Sequence, residues 1–328
     1  MHVRRGVAGI VGVAALALSA AVPIAVSSTQ ASAAVAHSTA MCGRVASPPK
    51  YKHVIVIMEE NHSYGAIVKS SAAKYLNSVM KACGLATNYH SITHLSLPNY
   101  LGITSGTPLG QLQPYTGDCA PYSCSRFLGS NNLFNQVSTK GGWSAFAESM
   151  PGKCARSDHG NYAVRHNPPV YFTDLIRSCS THDVSLGSTT KSPLLRAFAK
   201  QATAPAVSFV TPNLCSDMHN CSVSTGDAWM KRWLPLITKT PVYRSNNTAI
   251  FILWDEGEPG YTGENCVSSS DQSCHVAAIV VAPSVRPGTS VHTSFSHYSV
   301  LKTIEDLLGV PELGAAATAS SMASGFNL

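Results

Sequence analysis

Along the chain, short runs of aliphatic and β-branched residues alternate with stretches whose apolar positions recur at helical spacing. Residues 53–58 (HVIVIM), 206–210 (AVSFV), 249–254 (AIFILW) and 276–282 (VAAIVVA) are apolar with almost no polar alternation. Strands buried on both faces read this way, as in the middle of a mainly parallel sheet. Residues 74–82, 226–237 and 298–308 read as amphipathic helices between or after those strands. The alternation predicts an α/β fold in layers, with helices on both faces of the sheet, and no internal repeat interrupts it.

The ends of the chain follow a different pattern. Residues 1–5 are basic, residues 6–26 are apolar, and Ala31-Ser32-Ala33 supplies small residues, the arrangement of a secretory signal peptide spanning 1–33. The apolar run is nearly long enough for a membrane anchor, but Pro23 interrupts it and small residues follow, which favours cleavage near Ala33. Residues 34–50 read as a flexible lead-in, residues 51–313 as the folded domain, and residues 314–328 as a small-residue tail expected to fray. No later segment looks transmembrane, so the mature chain is expected to be secreted and free of an integral membrane segment.

Export changes how the cysteines are read. All 10 lie in the mature part, and an even number in an oxidising compartment implies a disulfide framework. Three pairs are close in sequence: Cys119 with Cys124, Cys215 with Cys221, and Cys266 with Cys274. Spacing leaves the connectivity open; Cys42 with Cys83 and Cys154 with Cys179 would complete it. The formal net charge of +6 suits an anionic substrate, but the basic residues are scattered and only 12% of residues are charged. That distribution is not the clustered patch of a nucleic-acid binder. The sequence sets no oligomeric state.

In open parallel sheets, functional groups collect at the carboxyl ends of strands. The first apolar run ends in Glu59-Glu60-Asn61-His62-Ser63, the second leads to Asn213, Asp217 and His219, and the third ends in Asp255-Glu256-Gly257. Any one of these alone reads as a turn or cap. Carboxylates converging from separate strand ends repel unless a cation or protons neutralise them. Glu60, Asn61, Asp255 and Glu256 are hard oxygen donors with no sulfur among them, which favours Mg, Ca or Mn over Zn. A nucleophile candidate, Ser96, stands in Thr93-His94-Leu95-Ser96-Leu97-Pro98-Asn99-Tyr100, ahead of a helical start whose amides could hold phosphate oxygens. Without that context a serine before Leu-Pro is an ordinary turn residue.

The segments HVIVIMEENHSY, SLPNYLGITSG, YAVRHNPPVYF, NLCSDMHNCSVSTGD, FILWDEGE and SHYSVLKTIEDLLG together resemble the bacterial phosphoesterase family, which contains acid phosphatases and bacterial phospholipases C. The resemblance runs from about His53 to Pro311. It implies an alkaline-phosphatase-like three-layer α/β/α sandwich with a metal-bound phosphate site. Matched residue by residue, it implies Glu60, Asn61, Asp255 and Glu256 as metal ligands and Ser96 as nucleophile. His166, His219 and His297 match polar positions lining the site, any of which could donate a proton, with Asn99 and Asp217 as substrate-binding positions. Many zinc members of the wider superfamily carry histidine where this chain has Glu256, which counts against a two-zinc site. The implied partner is a phosphorylated small molecule or phospholipid, with no nucleic acid. The short chain favours an acid-phosphatase-type phosphomonoesterase, with phosphatidylinositol 3-phosphate among the substrates of compact secreted members. A phospholipase C or other phosphodiesterase is the alternative enzyme, and a catalytically inactive secreted binding protein of the same fold is the alternative of another class.

Overall fold

The structure is a computed structural model that describes residues 40–124, 128–258 and 273–328, together with Gly9 and Gly12. The expected signal peptide and Cys266 lie outside the described residues. The strands are β1 (His53–Glu59), β2 (Gly84–His90), β3 (Trp143–Ala147), β4 (Asp183–Ser185), β5 (Val207–Thr211), β6 (Thr248–Trp254), β7 (His275–Val281), β8 (Thr289–Val291) and β9 (Phe295–Ser296). They form one sheet in the order β4-β3-β5-β1-β6-β7-β2-β8, with β9 also on β2. β1 is central: Ile55 pairs with Ser208 on one side and Ile250 on the other, both in parallel register. Every residue of β1, β5 and β6 is buried, which is why β1 and β6 carry long apolar runs and β5 is broken only by the small Ser208 before its terminal Thr211.

β7 pairs antiparallel with both β6 and β2, while the other pairings are parallel. The sheet is therefore mixed but mostly parallel, and helices on its two faces complete a three-layer α/β/α sandwich. The principal helices are α1 (Lys74–Ala82), α2 (Ser96–Ser105), α3 (Val223–Thr238) and α4 (His297–Leu308). α1 packs against α3, and α2 against α4. Asp227 of α3 accepts hydrogen bonds from the Tyr75 and Leu76 amides at 3.0 and 2.8 Å, capping the exposed donors of α1 across the helix pair.

Two expectations about the ends need correcting. Within the lead-in, Cys42 is bonded to Cys83 and the amides of Arg44 and Val45 donate to Pro283 O at 2.7 and 3.1 Å, so residues 40–50 are tied to the domain. The C-terminal tail is packed as well. Ala316, Met322 and Phe326 are buried, and the Phe326 ring fills the space where a Cβ on Gly84 would stand, 2.8 Å away. Small residues in this segment allow close approach rather than fraying. The pairs Cys42–Cys83, Cys119–Cys124, Cys154–Cys179 and Cys215–Cys221 are formed. Among the described residues, no helix is long and apolar enough to cross a membrane.

Candidate active site

The sheet brings Glu60 and Asn61, which follow β1, beside Asp255, which follows β6. The parallel ladder continues past the strands: the Asp255 amide donates to Glu59 O at 3.0 Å, and the Glu60 amide donates to Asp217 O at 2.9 Å. Asn61 turns the chain with a φ of 44°, a conformation asparagine tolerates better than most side chains, and its amide donates to Asp255 Oδ1 at 3.1 Å.

Ser96 is delivered by α2, which is buried along its whole length. A helix so enclosed has a fixed position, and its C-terminal end is held by Gly106 in the left-handed region at φ 64°. A Cβ there would sit 2.1 Å from Leu313 O, so only glycine fits. At the other end, Ser96 Oγ donates to Glu60 Oε2 at 3.1 Å. The Tyr100 hydroxyl, one turn along α2, donates to Glu60 Oε1, and the Tyr100 ring stacks on His166 with centroids 5.1 Å apart.

Two carboxylates meet beside Ser96, bridged by the Asn61 side-chain amide, whose nitrogen donates to Glu60 Oε2 at 3.0 Å and to Asp255 Oδ1 at 3.3 Å. Asp255 Oδ2, also buried, has no hydrogen-bond partner. Burial and then the neighbouring Asp255 and Asp217 charges push the Glu60 carboxyl well above its usual range. Burial, followed by Glu256, pushes Asp255 up to about 8. A buried, mutually repelling cluster of hard oxygen donors fits a divalent cation. Glu60, His166 and Asp217 also present ligand atoms within 4.8 Å of one another.

Several residues singled out from the sequence hold different positions. Glu256 does not join the oxygen cluster: its carboxylate bonds His94 Nδ1, and His94 Nε2 meets Ser273 Oγ at 2.8 Å. Asn99 is fully buried and spends its polar atoms on the loop before α2, accepting from Ile92 and Thr93 and donating to the Thr93 and Leu95 carbonyls at 2.8 and 3.0 Å. His297, also buried, donates from Nε2 to Asp255 O at 2.7 Å and accepts at Nδ1 from the Tyr89 hydroxyl, so it positions the strand end rather than facing substrate. Asp217 is closed off from solvent, its Oδ1 accepting the His219 amide at 2.8 Å.

His166 lies behind Glu60. Its Nε2 is 3.3 Å from Glu60 Oε1 and its Nδ1 is 3.5 Å from Asp217 Oδ2, close contacts that are not aligned as hydrogen bonds. Burial, then Arg165 and His219, lowers its pKa well below the usual imidazole range. His219 stands nearer solvent, with Nε2 3.2 Å from Arg165 Nη2 and Nδ1 2.7 Å from Asn220 Oδ1. An arginine only donates, so His219 Nε2 accepts here.

Sequence reasoning passed over His94, Tyr100, Asp118 and Arg165. Arg165 Nε is 3.6 Å from Asp118 Oδ2, and Asp118 Oδ1 accepts the Leu97 amide at 2.9 Å. That α2 amide is therefore occupied by a carboxylate instead of standing free for phosphate. The signal for three of the four was adjacency: His94, Tyr100 and Arg165 stand beside or inside the motifs carrying Ser96 and His166.

The mostly parallel sheet with helices on both faces has the alkaline-phosphatase-like fold. The architecture is similar to that of an alkaline phosphatase superfamily protein from Vibrio parahaemolyticus, with a TM-score of 0.56 at 12% identity over 83% of this chain and 72% of that one. It is also similar to a phosphonate monoester hydrolase of Agrobacterium radiobacter, with a TM-score of 0.53 at 11% identity over 84% and 77%. The chain belongs to the phosphoesterase family, whose profile matches residues 66–311 and so includes Ser96, His166, Asp217 and Asp255. It is 31% identical to a phosphatidylinositol-3-phosphatase of Mycobacterium tuberculosis over 83% of this chain and 81% of that protein. It is 26% identical to an acid phosphatase of Aspergillus fumigatus over 70% of this chain, spanning 49% of that longer protein. As a member of that family the protein is a phosphoester hydrolase.

Proposed function

We propose that this chain is a secreted, metal-dependent phosphomonoesterase that acts through a phosphoseryl intermediate on Ser96, with phosphorylated inositol lipids as its substrate class. The observation that carries the reading is Ser96 Oγ at the head of a buried helix, 3.1 Å from Glu60 Oε2, whose carboxylate the Asn61 amide links to Asp255. Glu60, Asn61 and Asp255 would hold the divalent cation, with Mg, Ca or Mn favoured by their oxygen donors; when bound, it neutralises phosphoryl charge and favours ionised serine.

The chain's own groups divide the remaining work. Glu60 Oε2 accepts the Ser96 hydroxyl proton as Oγ bonds to phosphorus, and the ester oxygen departs with the P–O electron pair and takes a proton from solvent. Tyr100, donating to Glu60 Oε1, fixes the carboxylate's orientation. Arg165, held through Asp118 beside the Ser96 end of α2, would supply positive charge to phosphoryl oxygens. Water then attacks the phosphoserine and releases a proton to solvent, the P–Oγ bond breaks, and Ser96 Oγ takes back the proton held by Glu60. His297 and Asn99 act through others, holding Asp255 and the loop before α2. The disulfides support export, since such bonds persist in oxidising compartments. The lipid reading is supported by the similarity to the mycobacterial phosphatidylinositol-3-phosphatase along most of both chains.

Ser96→Ala tests the reading. The variant should fold normally, and turnover of a soluble phosphomonoester should fall by about three orders of magnitude or more. Retention of more than about a tenth of parental turnover, a loss of only about 1.4 kcal/mol of barrier stabilisation, would decide against Ser96.

A further inference from the structure

Among the described residues, three large apolar side chains are conspicuously exposed: Leu95 at 42%, Tyr122 at 73% and Ile176 at 43%. Leu95 immediately precedes Ser96. Tyr122 stands on the short loop closed by the Cys119–Cys124 disulfide, and that loop is tied to the nucleophile's helix. The tie is Asp118, which accepts the Leu97 amide at 2.9 Å and faces Arg165 at 3.6 Å. A second fixing point is the Tyr171 hydroxyl, which donates to Cys119 O at 2.8 Å. The loop is therefore anchored beside the entrance to Ser96, and its aromatic tip points outward.

Tyr122 is not left to its own rotation. The Arg156 guanidinium lies over its ring, 5.6 Å from the centroid, and Nη1 donates to the hydroxyl at 3.0 Å. An exposed leucine next to Ser96, a braced tyrosine and its Arg156 partner beside a site for phosphate esters combine two chemistries. Aliphatic and aromatic side chains partition into the interfacial layer of a bilayer, where tyrosine's apolar ring and polar hydroxyl both find partners. Arginines nearby are attracted to anionic headgroups.

We propose that this rim is a docking surface for an anionic phospholipid bilayer. Leu95 and Tyr122 enter the interface, Arg156 meets lipid phosphates, and a membrane-borne ester is presented to Ser96. The purpose of the surface rests on the lipid-substrate reading above, but its existence is measured separately, with lipids that carry no phosphomonoester.

The mature protein is mixed with sucrose-loaded vesicles of phosphatidylcholine alone, or of phosphatidylcholine with one-fifth phosphatidylserine, and sedimented at low salt. The parent should pellet with the serine-containing vesicles. Tyr122→Ser should lower partitioning by about fivefold or more, and Arg156→Gln by about fivefold on the anionic vesicles only. Tyr122→Trp should retain binding, and matching thermal midpoints exclude misfolding. A parent that stays in the supernatant, or a Tyr122→Ser variant that pellets undiminished, overturns the proposal. So does concentration-dependent dimerisation of the parent, without vesicle binding, that Tyr122→Ser abolishes; the rim would then belong to a second copy of the chain. Vesicle binding without phosphate release from phosphatidylinositol 3-phosphate would instead refute the lipid-substrate reading and leave the docking surface standing.

Discussion

Asp183, at the start of the edge strand β4, links the folded state to pH away from the active site. Its side chain is buried against the Cys154–Cys179 bridge; Oδ2 accepts from Asn167 Nδ2 at 2.8 Å, while Oδ1 has no partner. Burial, only partly offset by Asn167, raises its pKa from 3.8 to about 7. A carboxyl whose folded pKa is raised binds its proton more tightly when folded than when unfolded. Its favourable contribution is therefore complete below pH about 4 and is lost as pH rises through about 7. The shift of about three pKa units corresponds to about 4 kcal/mol between those limits. Asp183→Asn keeps the shape and removes the titration, at about 1 kcal/mol for imperfect hydrogen bonding of the new amide. Urea unfolding from pH 4 to pH 8 should show the variant slightly less stable than the parent in acid and more stable by a few kcal/mol at pH 8. Subtracting the two curves cancels the other titrating groups. A difference that does not change with pH would refute the reasoning, because it would mean that Asp183 carries the same charge in both states throughout.

Two further outcomes follow from the site and the tail. Dialysis against a chelator should abolish turnover of a soluble phosphomonoester, with Mg or Mn restoring it. Calorimetric titration should show weaker Mn binding by Asp255→Asn than by the parent; full activity in excess chelator, with no metal in the protein, would contradict the cation. Phe326→Ala should cost about 3–5 kcal/mol in urea unfolding, because its buried ring fills the space above Gly84. An unchanged midpoint would show the tail to be dispensable.

The central strands were legible in the sequence because burial on both faces leaves polar residues only at the ends of β1 and β6, and a continuous apolar run is hard to read otherwise. β2, with the sequence GLATNYH, and the three-residue strands β4 and β8 were not, because edge and near-edge strands tolerate polar and small residues. Strand direction leaves no mark on composition, so the antiparallel setting of β7 was equally hidden. The tail was misread for a related reason: alanine, glycine and serine lack bulk, yet that lets Phe326 reach Gly84.

The site divides along the same physical line. Glu60, Ser96 and Asp255 could be anticipated because each sits where a strand or helix must deliver it, and backbone regularity carries the side chain to its place. Asp255 and Glu256 looked like a pair because they are adjacent. At the end of an extended strand, however, neighbouring side chains point to opposite sides. One therefore reaches the Asn61 side-chain amide, and the other reaches a histidine 162 residues away in the chain. That alternation gives the two carboxylates separable roles. Asp255 contributes charge to the oxygen cluster, whereas Glu256 orients His94 in the loop that ends at Ser96, so proximity in sequence and partnership in space need not coincide at a strand end.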